Sequence, residues 1–157
     1  MAEAKFPAGA ICQVGFIVRD IERAAKRFCA IFGVDMPPIW QTPGYAQVNT
    51  TFQGEPSEAT AKLAFFDAGQ LQIELIEPDE KPSVWREFLD AHGEGVHHIA
   101  FKVKDTNESA QFLAEHGITI RQQGLYADRS GMYTYLDSGP VLGVMIELLE
   151  NFGAPRP

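Results

Sequence analysis

The chain has 157 residues, 45% of them apolar and 22% charged, enough for one compact domain with a buried core. Its net charge of −8 argues against a general nucleic-acid footprint, and no apolar run approaches the ~20 residues of a membrane span. The opening MAEAKFPAGA carries Glu3 and no apolar signal core, so Cys12 and Cys29 are expected to be reduced in a cytoplasmic protein.

In chain order, CQVGFIVRD from Cys12 reads as a strand running into Asp20, a helix N-cap. Ile21, Ala24, Ala25, Phe28 and Phe32 then recur at helical spacing, and Gly33 ends the helix. A middle strand is expected near GYAQVNTTFQ. FFDAGQLQIELIEP gives a strand, a turn at Asp67 to Gly69, and a strand carrying Glu74 between Ile73 and Leu75. A linker helix follows at about residues 82–93, with Pro82 in its first turn, Gly93 past its end, and Val84, Trp85, Phe88 and Leu89 to cover the sheet. HHIAFKVKD from His97 is again a strand ending in a capping Asp105. Ala110, Leu113 and Ala114 continue as a helix to Gly117. YLDSGPVLGVMIELLE closes the pattern, with Glu147 between Ile146 and Leu148. Residues 1–9 and 151–157 read as loose ends.

These segments repeat. CQVGFIVRDIERAAKRF lies on HHIAFKVKDTNESAQFL at an offset of 85, placing Gln13 on His98, Phe16 on Phe101 and Asp20 on Asp105. Glu74 maps on Glu147 at an offset of 73. Each half therefore reads as a strand, a helix and about three antiparallel strands, so the fold class is α+β: two tandem βαβββ modules, mostly antiparallel and eight-stranded in all. The single domain, 1–157, divides into module one (about 11–78), the linker helix and module two (about 95–150).

Strand alternation puts Val14, Phe16 and Val18 on one face and Gln13, Gly15 and Ile17 on the other. In the repeat, Ile99, Phe101 and Val103 oppose His98, Ala100 and Lys102, and His97 points away from His98. If the apolar sets pack on helices, Gln13, Glu74, His98 and Glu147 converge on the other face. An amide oxygen, two carboxylates and an imidazole suit one divalent ion such as Zn²⁺, Co²⁺, Ni²⁺ or Mn²⁺. Such an ion would also explain two glutamates set in apolar strands, which are otherwise costly to bury.

GFIVRDIERAAKRF, GEGVHHIAFKVKD and GVMIELLE together resemble the vicinal oxygen chelate superfamily, also called the glyoxalase/bleomycin-resistance/dioxygenase superfamily, over about residues 11–150. The look is most like methylmalonyl-CoA epimerase and its uncharacterised relatives. The resemblance implies a cupped sheet, metal ligands at Gln13, Glu74, His98 and Glu147, and a metal-dependent isomerase, epimerase or lyase. Its substrate would be a small oxo compound or an acyl-CoA thioester, with charge stabilised on an enolate or enediolate. Glu147 would be both ligand and catalytic base. Lys102 and Tyr135 are candidate substrate contacts, and Tyr126, Arg129 and Tyr133 could also line the cup. A second copy of the chain, as a homodimer, is the expected protein partner.

The sequence departs from that pattern in specific places. The epimerases usually have His at the position of Gln13, and a second acid/base carboxylate falls near Gln47, where GYAQVNTTFQ has none. The ligand set resembles that of zinc-type glyoxalase I enzymes, making a lactoylglutathione lyase one alternative. The arginines with which those enzymes read glutathione are replaced by Ile17 and Glu94. A non-catalytic, resistance-type binding protein is the other alternative.

Overall fold

Both expected helix caps form. Asp20 accepts from the Arg23 N–H and Asp105 from the Glu108 N–H, each contact contributing about 1 kcal/mol of helix stability. The computed structural model describes residues 6–153. In order these form β1 (Ala8–Ile17), α1 (Ile21–Phe32), β2 (Trp40–Gln41), α2 (Tyr45–Val48), β3 (Thr51–Phe52), β4 (Glu55–Pro56), β5 (Ala61–Asp67) and β6 (Gln72–Pro78). Then come α3 (Val84–His92), β7 (Gly95–Val103), α4 (Thr106–Glu115), β8 (Ile120–Leu125), β9 (Gly131–Leu136), α5 (Gly139–Leu142) and β10 (Met145–Asn151). Of the expected loose ends, residues 1–5 and 154–157 lie outside the described residues. Ala8 already belongs to β1, and Phe6 packs edge-on against Phe101.

The strands join in one curled sheet, in the order β2-β5-β6-β1-β7-β10-β9-β8-β3-β4. β1 pairs parallel with β6 and β7 parallel with β10; the central β1–β7 ladder and the outer ladders are antiparallel. The sheet has ten strands, not eight. The difference lies in residues 40–56, around the middle strand expected near GYAQVNTTFQ. Pro43 and Gly44 end β2, α2 takes up Tyr45–Val48, and Asn49 and Gln53 adopt positive φ. The remainder forms the short β3/β4 hairpin, which pairs with β8 at the far end of the sheet.

Three apolar clusters fix the layers. Phe16 and Val18 pack with Ile21, Ala25 and Phe66, placing α1 on the convex face. Phe101, Val103 and Leu148 pack with Leu113, placing α4 on the same face. The third cluster joins Val84, Trp85 and Leu89 of α3 to Ile17, Ile76 and Tyr135. The linker helix therefore covers the sheet as expected, but from the concave side and at one end of the cup. Ser83 caps it by accepting from the Arg86 N–H, and Gly93, at φ 77, lets the chain turn out of it.

A carboxylate also holds each outer helix. Glu77 accepts from the Ile21 N–H at 2.8 Å, and Glu150 from the Thr106 N–H at 2.9 Å. Each follows the strand glutamate by three residues. An odd spacing on a strand sends the two side chains to opposite faces, so Glu74 and Glu147 are left for the concave side.

Candidate metal centre

The register of the four central strands brings the site together. Gly15 of β1 lies opposite both Glu74 and His98, and Ala100 of β7 lies opposite both Gln13 and Glu147. Exchanging Gln13 with His98, Gly15 with Ala100 and Glu74 with Glu147 reproduces the same set of neighbours. Val14 and Ile99, paired with each other, sit at the centre of that exchange.

All four expected ligands converge. His98 Nε2 lies 3.0 Å from Glu147 Oε2, 3.3 Å from Glu74 Oε2 and 3.2 Å from Gln13 Oε1. Ligand atoms of Glu74, His98 and Glu147 all fall within 4.8 Å of one another. All four side chains are buried, His98 completely. The ring of His98 rests on Gly15, where an added Cβ would stand 1.9 Å from His98 Cε1. Glycine is thus demanded there by a close approach.

The electrostatics of this cluster fit a divalent cation. Gln13 Oε1 faces acceptor atoms, while Gln13 Nε2 donates to Gln72 Oε1 at 2.7 Å. Two carboxylates at such a spacing repel by roughly 3–4 kcal/mol at an effective dielectric of about 20. With neutral His98 and the neutral amide, the set carries two negative charges, which one divalent ion cancels. An imidazolium cancels only half. Without an ion the protein must recruit protons: burial, with Glu147 adding to it, raises the Glu74 pKa above the carboxylate range. Burial favours the neutral form of His98, but Glu147 and Glu74 outweigh it and push the pKa to about 10. Turning over the Gln13 amide would put its nitrogen 3.1 Å from Glu147 Oε2.

His97 does not point away from His98. The register passes from Gly15↔His98 to Phe16↔Val96, leaving His97 as the extra residue of a β-bulge. The bulge turns its ring to the concave side, where Nδ1 lies 3.0 Å from His98 Nδ1. Phe88 and Tyr135 flank the ring at 5.2 and 5.5 Å. Burial, with the charge on His98 adding to it, holds the His97 pKa well below the usual histidine value. The strand-alternation rule could not see the bulge. A second bulge in β1, between Ile11↔Phe101 and Gln13↔Ala100, leaves Cys12 as its extra residue, with Sγ 3.4 Å from the Ala100 carbonyl.

Tyr135 is buried, with its ring 5.1 Å from that of His98 and packed edge-on against Trp85. Lys102 is exposed, and its charge favours the Cys12 thiolate, although burial, the larger effect, raises that thiol's pKa. Tyr126 is half-buried on the same side. Burial raises its pKa, and Glu147 leads the charges that add to the rise. Gln47 lies on α2, not on a strand, and its amide donates to the Ala127 carbonyl. Arg129 Nη1 donates to the Gln47 carbonyl, so these two residues tie α2 to the β8–β9 turn. Ile17 is fully buried, and Glu94 accepts from the Arg19 N–H. A cavity of about 400 Å³ borders α1 from Asp20 to Ala30, and none of the four clustered residues lines it.

Comparison with known proteins identifies the family and the fold. Residues 12–135 match the family model described as the Glyoxalase/Bleomycin resistance protein/Dioxygenase superfamily. The uncharacterized protein YqjC of Bacillus subtilis (strain 168) is 32% identical over 97 residues, covering 61% of this chain and 69% of that protein. The crystal structure of methylmalonyl-CoA epimerase from Mycobacterium tuberculosis superposes with a TM-score of 0.63 at 22% identity, over 99% of this chain and 94% of that one. A variant of the Streptomyces coelicolor methylmalonyl-CoA epimerase, in complex with 2-nitronate-propionyl-CoA, gives 0.63 at 21% identity, over 96% and 99%. A hypothetical protein from Bacillus halodurans gives 0.62 at 22%, over 94% and 98%. At these identities the likeness to the solved structures is one of fold. The family match spans most of the chain, and the chain belongs to the glyoxalase/bleomycin-resistance/dioxygenase superfamily.

Proposed function

We propose that the chain is a metal-dependent isomerase or epimerase that moves a proton next to a carbonyl of a small oxo compound or acyl-CoA thioester. The observation that carries this reading is the meeting of Gln13, Glu74, His98 and Glu147, one from each of four adjacent strands, in a buried cluster with an excess of negative charge. These four residues would hold the ion, and each half of the chain would supply two, as two βαβββ modules. Bound there, a divalent ion supplies Lewis acidity that stabilises negative charge on a substrate's enolate or enediolate oxygen.

Glu147 is assigned the proton transfer. Its charge acts on Cys12 and outweighs that of Glu74 at Tyr126, Tyr133 and Tyr135. Lys102 is exposed on β7, four residues past His98 and on the same face of the strand. Lys102 is therefore assigned to an anionic part of the substrate, and Tyr135 to supporting the His98 ring from within the core. The lyase alternative rests on the ligand set alone, since Ile17 and Glu94 are engaged in the core and with Arg19.

Elemental analysis tests the reading directly. Protein prepared without chelator should hold about one divalent ion per chain. Protein that stays metal-free after incubation with Zn²⁺, Co²⁺, Ni²⁺ and Mn²⁺ in turn would refute it. Metal-loaded protein that exchanges no substrate hydrogen with deuterium oxide, across acyl-CoA and 2-oxo compounds, would support the binding-protein alternative.

A further inference from the structure

We propose that His97 is a positioning residue: it accepts a hydrogen bond from Nδ1–H of His98 and so fixes His98 Nε2 as the nitrogen that faces the ligand cluster. This rests on the metal-centre reading above. The two Nδ1 atoms are 3.0 Å apart in a buried contact, so one of them carries the hydrogen between them. His98 Nε2 is surrounded by Gln13 Oε1, Glu74 Oε2 and Glu147 Oε2. For that nitrogen to offer a lone pair to a cation, the ring hydrogen must sit on Nδ1, and His98 is then the donor. A doubly protonated His98 donates in the same direction. The contact therefore keeps one polarity whether the cluster holds protons or an ion.

The surroundings of His97 suit an acceptor. Its ring is 3% exposed and wedged between Phe88 of α3 and Tyr135 of β9, so it cannot swing away. Once Nδ1 accepts, the ring hydrogen lies on Nε2. That nitrogen is buried and has no hydrogen-bond partner among the described residues, so no other acceptor competes for the direction of the Nδ1 contact. Metal-binding histidines generally give their second nitrogen to a carboxylate, a carbonyl or water. Here a neutral imidazole takes that place, delivered by the bulge and clamped by the linker helix. The concave-side cluster around α3 thus reaches the ligand set through one ring.

The test compares two substitutions. His97→Phe keeps a ring in the α3 clamp and removes the acceptor. His97→Asn loses the ring but returns an oxygen near the Nδ1 position. Zn²⁺ and Co²⁺ dissociation constants are measured by competition with a chromophoric chelator. The expected order is wild type tightest, His97→Asn within roughly threefold, and His97→Phe weaker by about 10–100-fold, as for other partners of metal-bound histidines. A purely structural His97 gives the reverse order, and that result overturns the proposal. A second measurement needs no variant: ¹⁵N-labelled wild type should show a coupling between the two Nδ1 atoms across the hydrogen bond, with the hydrogen covalently on His98. Absence of the coupling, or a hydrogen on His97, overturns the proposal even if His97→Phe fails to fold. Wild type that binds neither ion defeats the metal reading and this inference together. Wild type that binds while His97→Phe binds equally well defeats this inference alone.

Discussion

Cys12 and His97 occupy matching bulges, each one residue before a ligand and 85 residues apart, yet their surroundings differ. His97 is sealed beneath α3 among Phe88, Tyr135 and His98. Cys12 is half-buried, near an exposed Lys102 and a half-buried Tyr126. The backbone is close to symmetric about the Val14–Ile99 pair, while the chemistry at its two ends is not. A cavity of about 350 Å³ reaches Phe88 and His97 at the α3 end, while the other end carries Lys102 and Tyr126. On the proposed reading, a paired scaffold of this kind supplies equivalent ligand positions and then assigns them unequal work.

The largest expected effect separates the two glutamates. Glu147→Gln keeps a coordinating oxygen but cannot accept a proton, so turnover should fall by roughly two to four orders of magnitude, the contribution of a positioned general base. Exchange of a substrate hydrogen with deuterium oxide reads this directly. Glu74→Gln should retain most of the exchange at saturating metal. If Glu74→Gln is the inactive variant and Glu147→Gln is not, the roles are reversed.

A second comparison sets Gly15 against Ala100. The His98 ring occupies the space a Cβ would need at Gly15, whereas at the equivalent position Ala100 already has one beneath the slimmer Gln13. Gly15→Ala should destabilise the fold by about 1–3 kcal/mol through overpacking and weaken metal binding by displacing His98. Ala100→Gly should cost only about 0.5–1 kcal/mol, from the extra freedom of glycine. Denaturant unfolding of both variants, with metal titration alongside, checks the contrast. Equal losses would mean that the two halves are packed alike.

The smallest effect concerns protons. Of the pair Gln13 and His98, only His98 titrates, since Gln13 carries no ionisable proton. The metal-free pKa of about 10 at His98 means that its ring is protonated at pH 7 and must lose a proton to bind an ion. Affinity should therefore rise with pH, by about tenfold per unit between pH 7 and 9, with about one proton released per ion. Calorimetry in buffers of different ionisation enthalpy counts that proton. A pH-independent affinity would show that His98 is already neutral before binding.

Much of this arrangement is legible in the sequence because it depends on period and spacing. The 85-residue repeat aligns Gln13 with His98 and Asp20 with Asp105, and alternation sends the four ligands to one face. Three features escape that logic. A bulge adds one residue to a period of two, and nothing in GVHHIAF marks where it falls, so His97 is assigned to the wrong face. GYAQVNTTFQ has strand-like composition, but Asn49 and Gln53 take left-handed backbone and break it. Glu77 and Glu150 look like surface charges until α1 and α4 bring their free N–H groups within reach.

The pairing of β3 with β8 makes the two halves interlock. Residues 51–52 precede α3 in the chain but hydrogen-bond to a strand that follows it, while residues 40–41 pair with β5 at the other end of the sheet. The segment between them spans the mouth like a clasp, fastened further by Gln47 to Ala127 and by Arg129 to Gln47. Severing the chain in the linker would not yield two self-sufficient pieces. The first fragment would carry a rung of the second fragment's ladder, and the second would be left with an unpaired edge at β8. The residues before and after the linker thus depend on each other for a complete β8 ladder.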